Sequence, residues 1–237
     1  MKHTRLPYLS GNQLKLIAAL SMLLDHIGVI LLPEVTVLRI LGRLAFPIFA
    51  FMIAEGCRYT KNKLRYFLGV FGVGVLCQIG LWLYDPKAKL NVLLTFSVSI
   101  LLIYALQYAR RGLQSKRALP LLPLLAVFGG ALLLTHFVRV EYGICGCLLP
   151  LFPAVIHPVE RRGGDRFENV IAPVTLLSVG TFMLCLALWG LQWWSLFSLP
   201  LLFLYSGKRG RRGGKLFFYL FYPLHILILE GLALLFG

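Results

Sequence analysis

Residues 14–32 read LKLIAALSMLLDHIGVILL, an apolar run interrupted only by Lys15, Ser21 and the pair Asp25-His26. A bilayer core requires about 20 mainly apolar residues in a helix that rises about 1.5 Å per residue. This run has that length, and it is too long and too polar for a signal peptide, with no small-residue cleavage site after it. Working outward, eight more stretches of the same character follow: Val37–Cys57, Tyr66–Tyr84, Leu90–Tyr108, Ala118–Val138, Tyr142–Ile156, Val170–Trp189, Leu191–Tyr205 and Leu216–Phe236. The sixth and eighth are short, and Pro150 and Pro153 are placed to break the sixth. Short loops account for the rest. The expectation is an all-α, polytopic integral membrane bundle of about nine transmembrane helices, a single domain over residues 1–237 with no separate soluble part.

Composition agrees. The 237 residues are 59% hydrophobic and 14% charged, where a soluble domain carries about 25% charged residues. Soluble, disordered, fibrous and disulfide-stapled classes are excluded on that ground. The chain also holds 24 Lys and Arg against 9 Asp and Glu, a net charge of +15. Most of these cations fall in alternate loops: Lys2, Arg5 and Lys15; Arg58, Lys61, Lys63 and Arg65; Arg110, Arg111, Lys116 and Arg117; Arg161, Arg162 and Arg166; Lys208, Arg209, Arg211, Arg212 and Lys215. Arg39, Arg43, Lys87, Lys89 and Arg139 belong to the other side. The positive-inside rule then predicts a cytoplasmic N-terminus in a multi-pass protein of the inner, or cytoplasmic, membrane, and it accounts for the charge without nucleic acid. The five cysteines lie in or at the ends of apolar stretches and read as small buried hydrophobes; Cys145 and Cys147 lack zinc spacing, and no metal is expected.

Ionisable residues at membrane depth each cost at least about 2.5–3.5 kcal/mol and need a reason to be there. His26 stands about 18 Å along its helix from the cytoplasmic start. The second span carries Arg43 near its outer end and Glu55 near its inner end, with Pro47 between. Asn91, Thr95 and Ser99 form one polar stripe at i, i+4 and i+8. His136, Arg139, Glu141 and Tyr142 join the fifth and sixth spans on the outside, and the last span carries Tyr222, His225 and Glu230. Most of these groups share the outer half, which predicts one polar cavity opening outward. Plainer readings compete: an Asp25–Arg43 structural ion pair, an Asn91 helix cap, a packed core His225, and His136 with Arg139 as an interfacial anchor. Asp25 points about 100° away from His26 and is not expected to orient it. The histidines suit general acid–base chemistry on an attacking amine or hydroxyl, with Arg43 or Tyr222 steadying the oxyanion. The same residues would serve a proton relay in a small transporter or channel, and spacing alone leaves that choice open.

The stretches LKLIAALSMLLDHIG and LRILGRLAFPIFAFMIAEGCRYT resemble the opening of the TraX family, named for the F-pilin acetyltransferase. NVLLTFS (91–97), EYGICGCLLPLF (141–152), SLPLLFLYSGKRG (198–210) and FFYLFYPLHILIL (217–229) keep that family's order to the end of the chain. The resemblance implies a membrane acyltransferase related to the broader transmembrane acyltransferases. Acetyl-CoA from the cytoplasm would be the donor, and the acceptor an amine or hydroxyl on a pilin-like protein, peptide or glycan at the bilayer. It implies catalytic roles for Asp25, His26, Arg43, Glu55, Glu141, Tyr142, Tyr222 and His225. Glu141 stands where the family pattern leads one to expect Asp, which keeps the charge on a longer arm. Donor binding is expected at Arg58, Lys61, Arg65, Asn91, Thr95, Lys208, Arg209, Arg211 and Arg212. A transporter, or a non-catalytic assembly factor for a surface structure, is the alternative.

Overall fold

Ser10 sets where the first helix begins. Its hydroxyl accepts from the Gln13 amide, and the Gln13 side chain accepts in return from the Ser10 amide, so two otherwise orphaned donors are satisfied reciprocally. The computed structural model describes residues 8–156, 166–210 and 215–236, and among these every regular element is helical. Helix α1 (Gly11–Ile30) carries the Asp25-His26 pair. Its next two amides, of Gly11 and Asn12, donate to the carbonyls of Lys208 and Arg209. Leu9 pairs with Tyr205 beside them, so the loop 204–209 closes over the start of α1.

The second apolar stretch is two helices, α2 (Thr36–Gly42) and α3 (Ala45–Tyr59). The break falls at Arg43, four residues before Pro47, where a proline removes the donor for the i−4 carbonyl and crowds it. The amides of Arg43 and Leu44 turn instead to carbonyls three residues back. The bend presses α2 against α1: a Cβ on Gly42 would lie 2.3 Å from the Asp25 Cβ, so only glycine fits this crossing.

Helices α4 (Lys63–Tyr84), α5 (Val92–Gln114) and α6 (Leu121–Phe137) follow. The sixth stretch is divided around Pro150, as its prolines predict, into α7 (Gly143–Leu148) and α8 (Leu151–Ile156). A π-helical turn (Phe167–Ile171) leads into α9 (Ala172–Leu188). The eighth stretch departs from the expected α-helix: Gly190–Phe197 is 3₁₀, followed by a short α10 (Ser198–Phe203). At about 2.0 Å per 3₁₀ residue and 1.5 Å per α residue, this short segment still reaches about 25 Å. Helix α11 (Lys215–Phe236) contains Pro223.

Among the described residues, Gly11–Ile30, Thr36–Tyr59, Lys63–Tyr84, Val92–Gln114, Phe167–Leu188 and Phe217–Leu235 are long and apolar enough to cross a membrane. Leu121–Phe137 and Gly143–Ile156 are shorter apolar helices. The core gathers on α3 and α5, where Ile48, Phe51, Ile100 and Ile103 are fully buried. Helices α4, α6 and α11 are peripheral and turn Leu76, Leu83, Leu125, Phe137 and Leu227 outward. So much apolar exterior suits hydrocarbon, where it costs nothing, and not water. Hydrogen bonds define one end of the bundle. Lys63 donates to Gln107, Arg110 to the Val155 carbonyl, and Arg166 to Tyr8 and to the Phe203 carbonyl, beside the loop that covers Ser10. The site lies toward the other end.

Candidate functional site

The DHIG turn of α1, the kink between α2 and α3, the start of α5, the α6–α7 connection and the middle of α11 converge on a cavity of about 40 Å³. That is room for about three waters or a small acyl group. Met22, Ala45, Phe46, Phe49 and Val92 supply its apolar wall, and Asp25, His26, Glu141, Tyr142 and Tyr222 its polar one. Residues more than a hundred positions apart in sequence thus share one space.

Asp25 is held by two arginines. Its Oδ1 accepts from Arg39 Nε at 2.9 Å and from Arg43 Nη2 at 2.5 Å, and Arg43 Nε donates to the Arg39 carbonyl. Asp25 therefore locks α1 to the kink, the structural role weighed for the pair. Arg43 is not among the cavity's lining residues; its positive charge stands behind the wall. Sequence alone marks Arg39 only as an outer-side charge. Its spacing of four from Arg43, which puts both on one helical face, was the signal available for its role.

His26 Nδ1 lies 2.9 Å from the Met22 carbonyl and 3.2 Å from Nε2 of His225. His225 Nδ1 lies 2.7 Å from the Phe221 carbonyl. The two rings meet edge to face with centroids 4.9 Å apart. His225 is buried and stacks on Phe221, behind His26 and away from the cavity lining. Asp25 is spent on the arginines and does not orient the histidine beside it, as its direction on the helix predicts.

Glu141 and Tyr142 are placed by backbone pairing. The Leu90 amide donates to the Arg139 carbonyl, the Glu141 amide to the Leu90 carbonyl, and the Thr95 hydroxyl to the Glu141 carbonyl. Tyr142 is left-handed at φ 62°, a strained conformation for a side chain of its size, and the adjoining Gly143 is left-handed too. Stacking of the Tyr142 ring on Phe46, with centroids 3.7 Å apart, holds it there. Gly146 makes room, since a Cβ at that position would meet the Tyr142 Cβ at 2.4 Å. Removal from water pushes the Glu141 carboxyl up to about 7, against the pull of the Arg43 charge. The Val92 amide at the N-terminus of α5 reaches both the Glu141 carboxyl and the Tyr222 hydroxyl.

Other candidates lie elsewhere. Asn91 is the cap of α5: its Oδ1 accepts from the Leu93 and Leu94 amides, and its Nδ2 donates to the Gly74 carbonyl and to Gln78 Oε1. Thr95 and Ser99 donate to the carbonyls of Glu141 and Cys147. The polar stripe thus fastens α5 to its neighbours and contributes no side chain to the cavity lining. Glu55 belongs to a second buried cluster at the opposite end of α3, where it accepts from the Tyr205 hydroxyl at 3.0 Å and pairs with Arg58, itself bonded to Asn169. Lys61, Arg65, Lys208 and Arg209 are exposed near that same end. Arg211 and Arg212 lie outside the described residues. His136 and Arg139 are exposed, as an interfacial anchor would be.

The family model for TraX protein matches residues 10–233. A Dichelobacter nodosus protein described as "Probable fimbrial assembly protein FimC, serogroup H1" is 28% identical over 235 residues, covering 93% of this chain and 94% of its own length. A Rickettsia prowazekii (strain Madrid E) protein, "Uncharacterized protein RP591", is 35% identical over 103 residues, 43% of this chain and 38% of its own length. No solved structure matches.

Proposed function

The chain belongs to the TraX family, and from that membership we propose that it is an integral membrane acyltransferase. It moves an acetyl group from cytoplasmic acetyl-CoA to an amine or hydroxyl of a membrane or extracytoplasmic acceptor. In this reading the chain crosses the inner membrane nine times with its N-terminus in the cytoplasm. The six long helices, Leu121–Phe137, Gly143–Ile156 and the 3₁₀ segment with α10 are the crossings. The grouping of cations near the Ser10 end, against Arg39, Arg43, Lys87, Lys89 and Arg139 near the other, supports that orientation. The observation that carries the function is the cavity itself, where a histidine, two carboxyl groups and two tyrosines meet in the outer half of the bundle.

The donor's phosphates would meet the exposed Lys61, Arg65, Lys208 and Arg209. Its thioester would reach the cavity, where His26 Nε2 acts as general base. The acceptor nitrogen or oxygen attacks the thioester carbonyl as its proton passes to His26. The Tyr222 hydroxyl donates to the resulting oxyanion, and Arg43 adds its field from one layer back. Collapse of the intermediate breaks the carbon–sulfur bond, and His26 returns the proton to the thiolate. The Dichelobacter relative, described as a probable fimbrial assembly protein, makes a pilin-like acceptor the first to try.

The test is transfer of radiolabelled acetyl from acetyl-CoA by the detergent-purified protein. Wild type is expected to label an acceptor, and His26→Ala to lower the rate on the order of a hundredfold with unchanged folding. A folded His26→Ala protein that transfers at the wild-type rate overturns the assignment. That same relative's description also suits a non-catalytic assembly factor, which predicts no acetyl-CoA binding; measured binding separates the two.

A further inference from the structure

Two histidines 199 residues apart in sequence share a hydrogen bond inside the bundle, and elementary bonding rules assign their protons. A carbonyl oxygen only accepts. His26 Nδ1 stands 2.9 Å from the Met22 carbonyl, so it carries hydrogen. His225 Nδ1 stands 2.7 Å from the Phe221 carbonyl and carries hydrogen likewise. In a neutral ring the other nitrogen then holds a lone pair. His225 Nε2 is therefore an acceptor, and it faces His26 Nδ1 at 3.2 Å. The His26 Nδ1–H is shared between the Met22 carbonyl and His225. Of the four ring nitrogens, that leaves His26 Nε2 on the edge opposite these contacts, in a ring that lines the cavity.

We infer that His225 is a positioning residue for His26: its Nε2 lone pair, together with the Met22 carbonyl, holds the Nδ1–H tautomer and ring orientation of His26 and so presents the His26 Nε2 lone pair to the cavity. The catalytic consequence rests on the acyl-transfer reading above; the tautomer does not. His225 is itself rigid. It is buried, its ring stacks on Phe221 at 4.9 Å between centroids, and the Tyr222 ring meets it edge-on. In serine hydrolases a carboxylate holds the base this way from its Nδ1 side. Here the carboxylate next in sequence, Asp25, is occupied by Arg39 and Arg43, and a neutral imidazole takes the place. When His26 takes the acceptor's proton on Nε2, its Nδ1–H bond to His225 becomes charge-assisted and strengthens. The proton leaves again from Nε2 to the thiolate, so His225 neither gains nor loses one. Among the described residues, the charged or titratable groups around this pair are Asp25 on α1, Arg39 and Arg43 at the kink, Cys77 on α4, Glu141 and Tyr142 in the α6–α7 connection, and Tyr222 on α11.

The test reads tautomer and turnover separately on the full chain in detergent, with thermal unfolding as a check on folding. Selective ¹⁵N-histidine NMR is expected to give pyrrole-type Nδ1 and pyridine-type Nε2 resonances for both residues. His225→Leu leaves the Met22 carbonyl as the remaining acceptor and is expected to let a minor Nε2–H population of His26 appear, to lower kcat by about tenfold to a hundredfold through loss of the charge-assisted bond, to leave KM for acetyl-CoA unchanged and to displace the pH profile. His225→Gln places an amide oxygen near the lost Nε2 and is expected to restore the tautomer and kcat to within about threefold of wild type. Two results overturn the inference: a folded His225→Leu protein with the wild-type tautomer, kcat and pH profile, or His225→Gln as slow as His225→Leu, which would make His225 a proton carrier. Wild type with the expected tautomers but no acetyl transfer would instead refute the acyl-transfer reading and leave the tautomer assignment standing.

Discussion

Gly42→Ala tests the joint between the kinked second span and the functional site. The added Cβ would lie 2.3 Å from the Asp25 Cβ, 2.6 Å from its Oδ1 and 2.8 Å from its Cα. Carbon atoms in ordinary contact stand about 3.5–4.0 Å apart, so α1 and α2 must part by about 1.2–1.7 Å. One of the obstructing atoms is backbone, so rotating the Asp25 side chain gives no relief. Parting the helices stretches the bonds from Asp25 to Arg39 and Arg43 and carries His26, the next residue, with it. Overpacking of this kind costs about 1–3 kcal/mol, which for a chain of this size lowers Tm by about 5 °C. A shift of about 1 Å at the base costs on the order of a hundredfold in kcat. The assay is thermal unfolding in detergent beside acetyl transfer. Gly72→Ala on α4 is the control, since a Cβ there meets nothing within 4 Å; it is expected to match or slightly exceed wild type in stability. Wild-type Tm together with kcat within twofold for Gly42→Ala would refute the idea that this contact holds the site.

Two further outcomes are expected. Burial raises the Glu141 carboxyl from about 4.3 in an unfolded chain to about 7 in the folded one, so over that range the fold binds the extra proton. Its contribution to stability is complete below the unfolded value and is lost as pH rises through 7. Wild type should therefore lose thermal stability between pH 5 and 8 relative to Glu141→Gln, and equal pH slopes for the two proteins would contradict this. Asn91→Ala removes the α5 cap and the side-chain bonds to the Gly74 carbonyl and Gln78 Oε1, while the amide of residue 91 keeps Gln78 paired; the expected loss is about 2 kcal/mol with an unchanged KM for acetyl-CoA, and a raised KM at intact stability would return Asn91 to donor binding.

The all-helical class was legible because bilayer thickness dictates how long an apolar run must be, and runs of that length are visible without any contact information. Local chain chemistry was legible as well. The division of the sixth stretch follows from Pro150 and Pro153, because a proline acts within one helical turn of itself; the same rule accounts for the break at Arg43, four residues before Pro47, although Val37–Cys57 reads as a single span. The 3₁₀ geometry of Gly190–Phe197 was not, since an apolar run gives no warning of its pitch. Asn91 and Thr95 were correctly seen as one face, yet a face does not reveal whether it meets a ligand or another helix. Here it meets α4 and the α6–α7 connection.

For the site, residue types at membrane depth singled out Asp25, His26, Arg43, Glu141, Tyr142, Tyr222 and His225, because each is too costly in hydrocarbon to be there without partners. The partnerships themselves were decided only by the tertiary structure. Asp25 chooses Arg39 and Arg43 over its neighbour His26. His26 finds His225 on the last helix, and Glu55 falls into a separate cluster with Arg58 and Tyr205. A hydrogen bond needs two atoms within about 3 Å. Distances of that size between remote residues depend on how α1, α3 and α11 cross, and the crossings depend on packing at positions such as Gly42. Depth and residue type are one-dimensional quantities that a chain carries along its length; which histidine faces the cavity and which stands behind it is a property of the packed bundle.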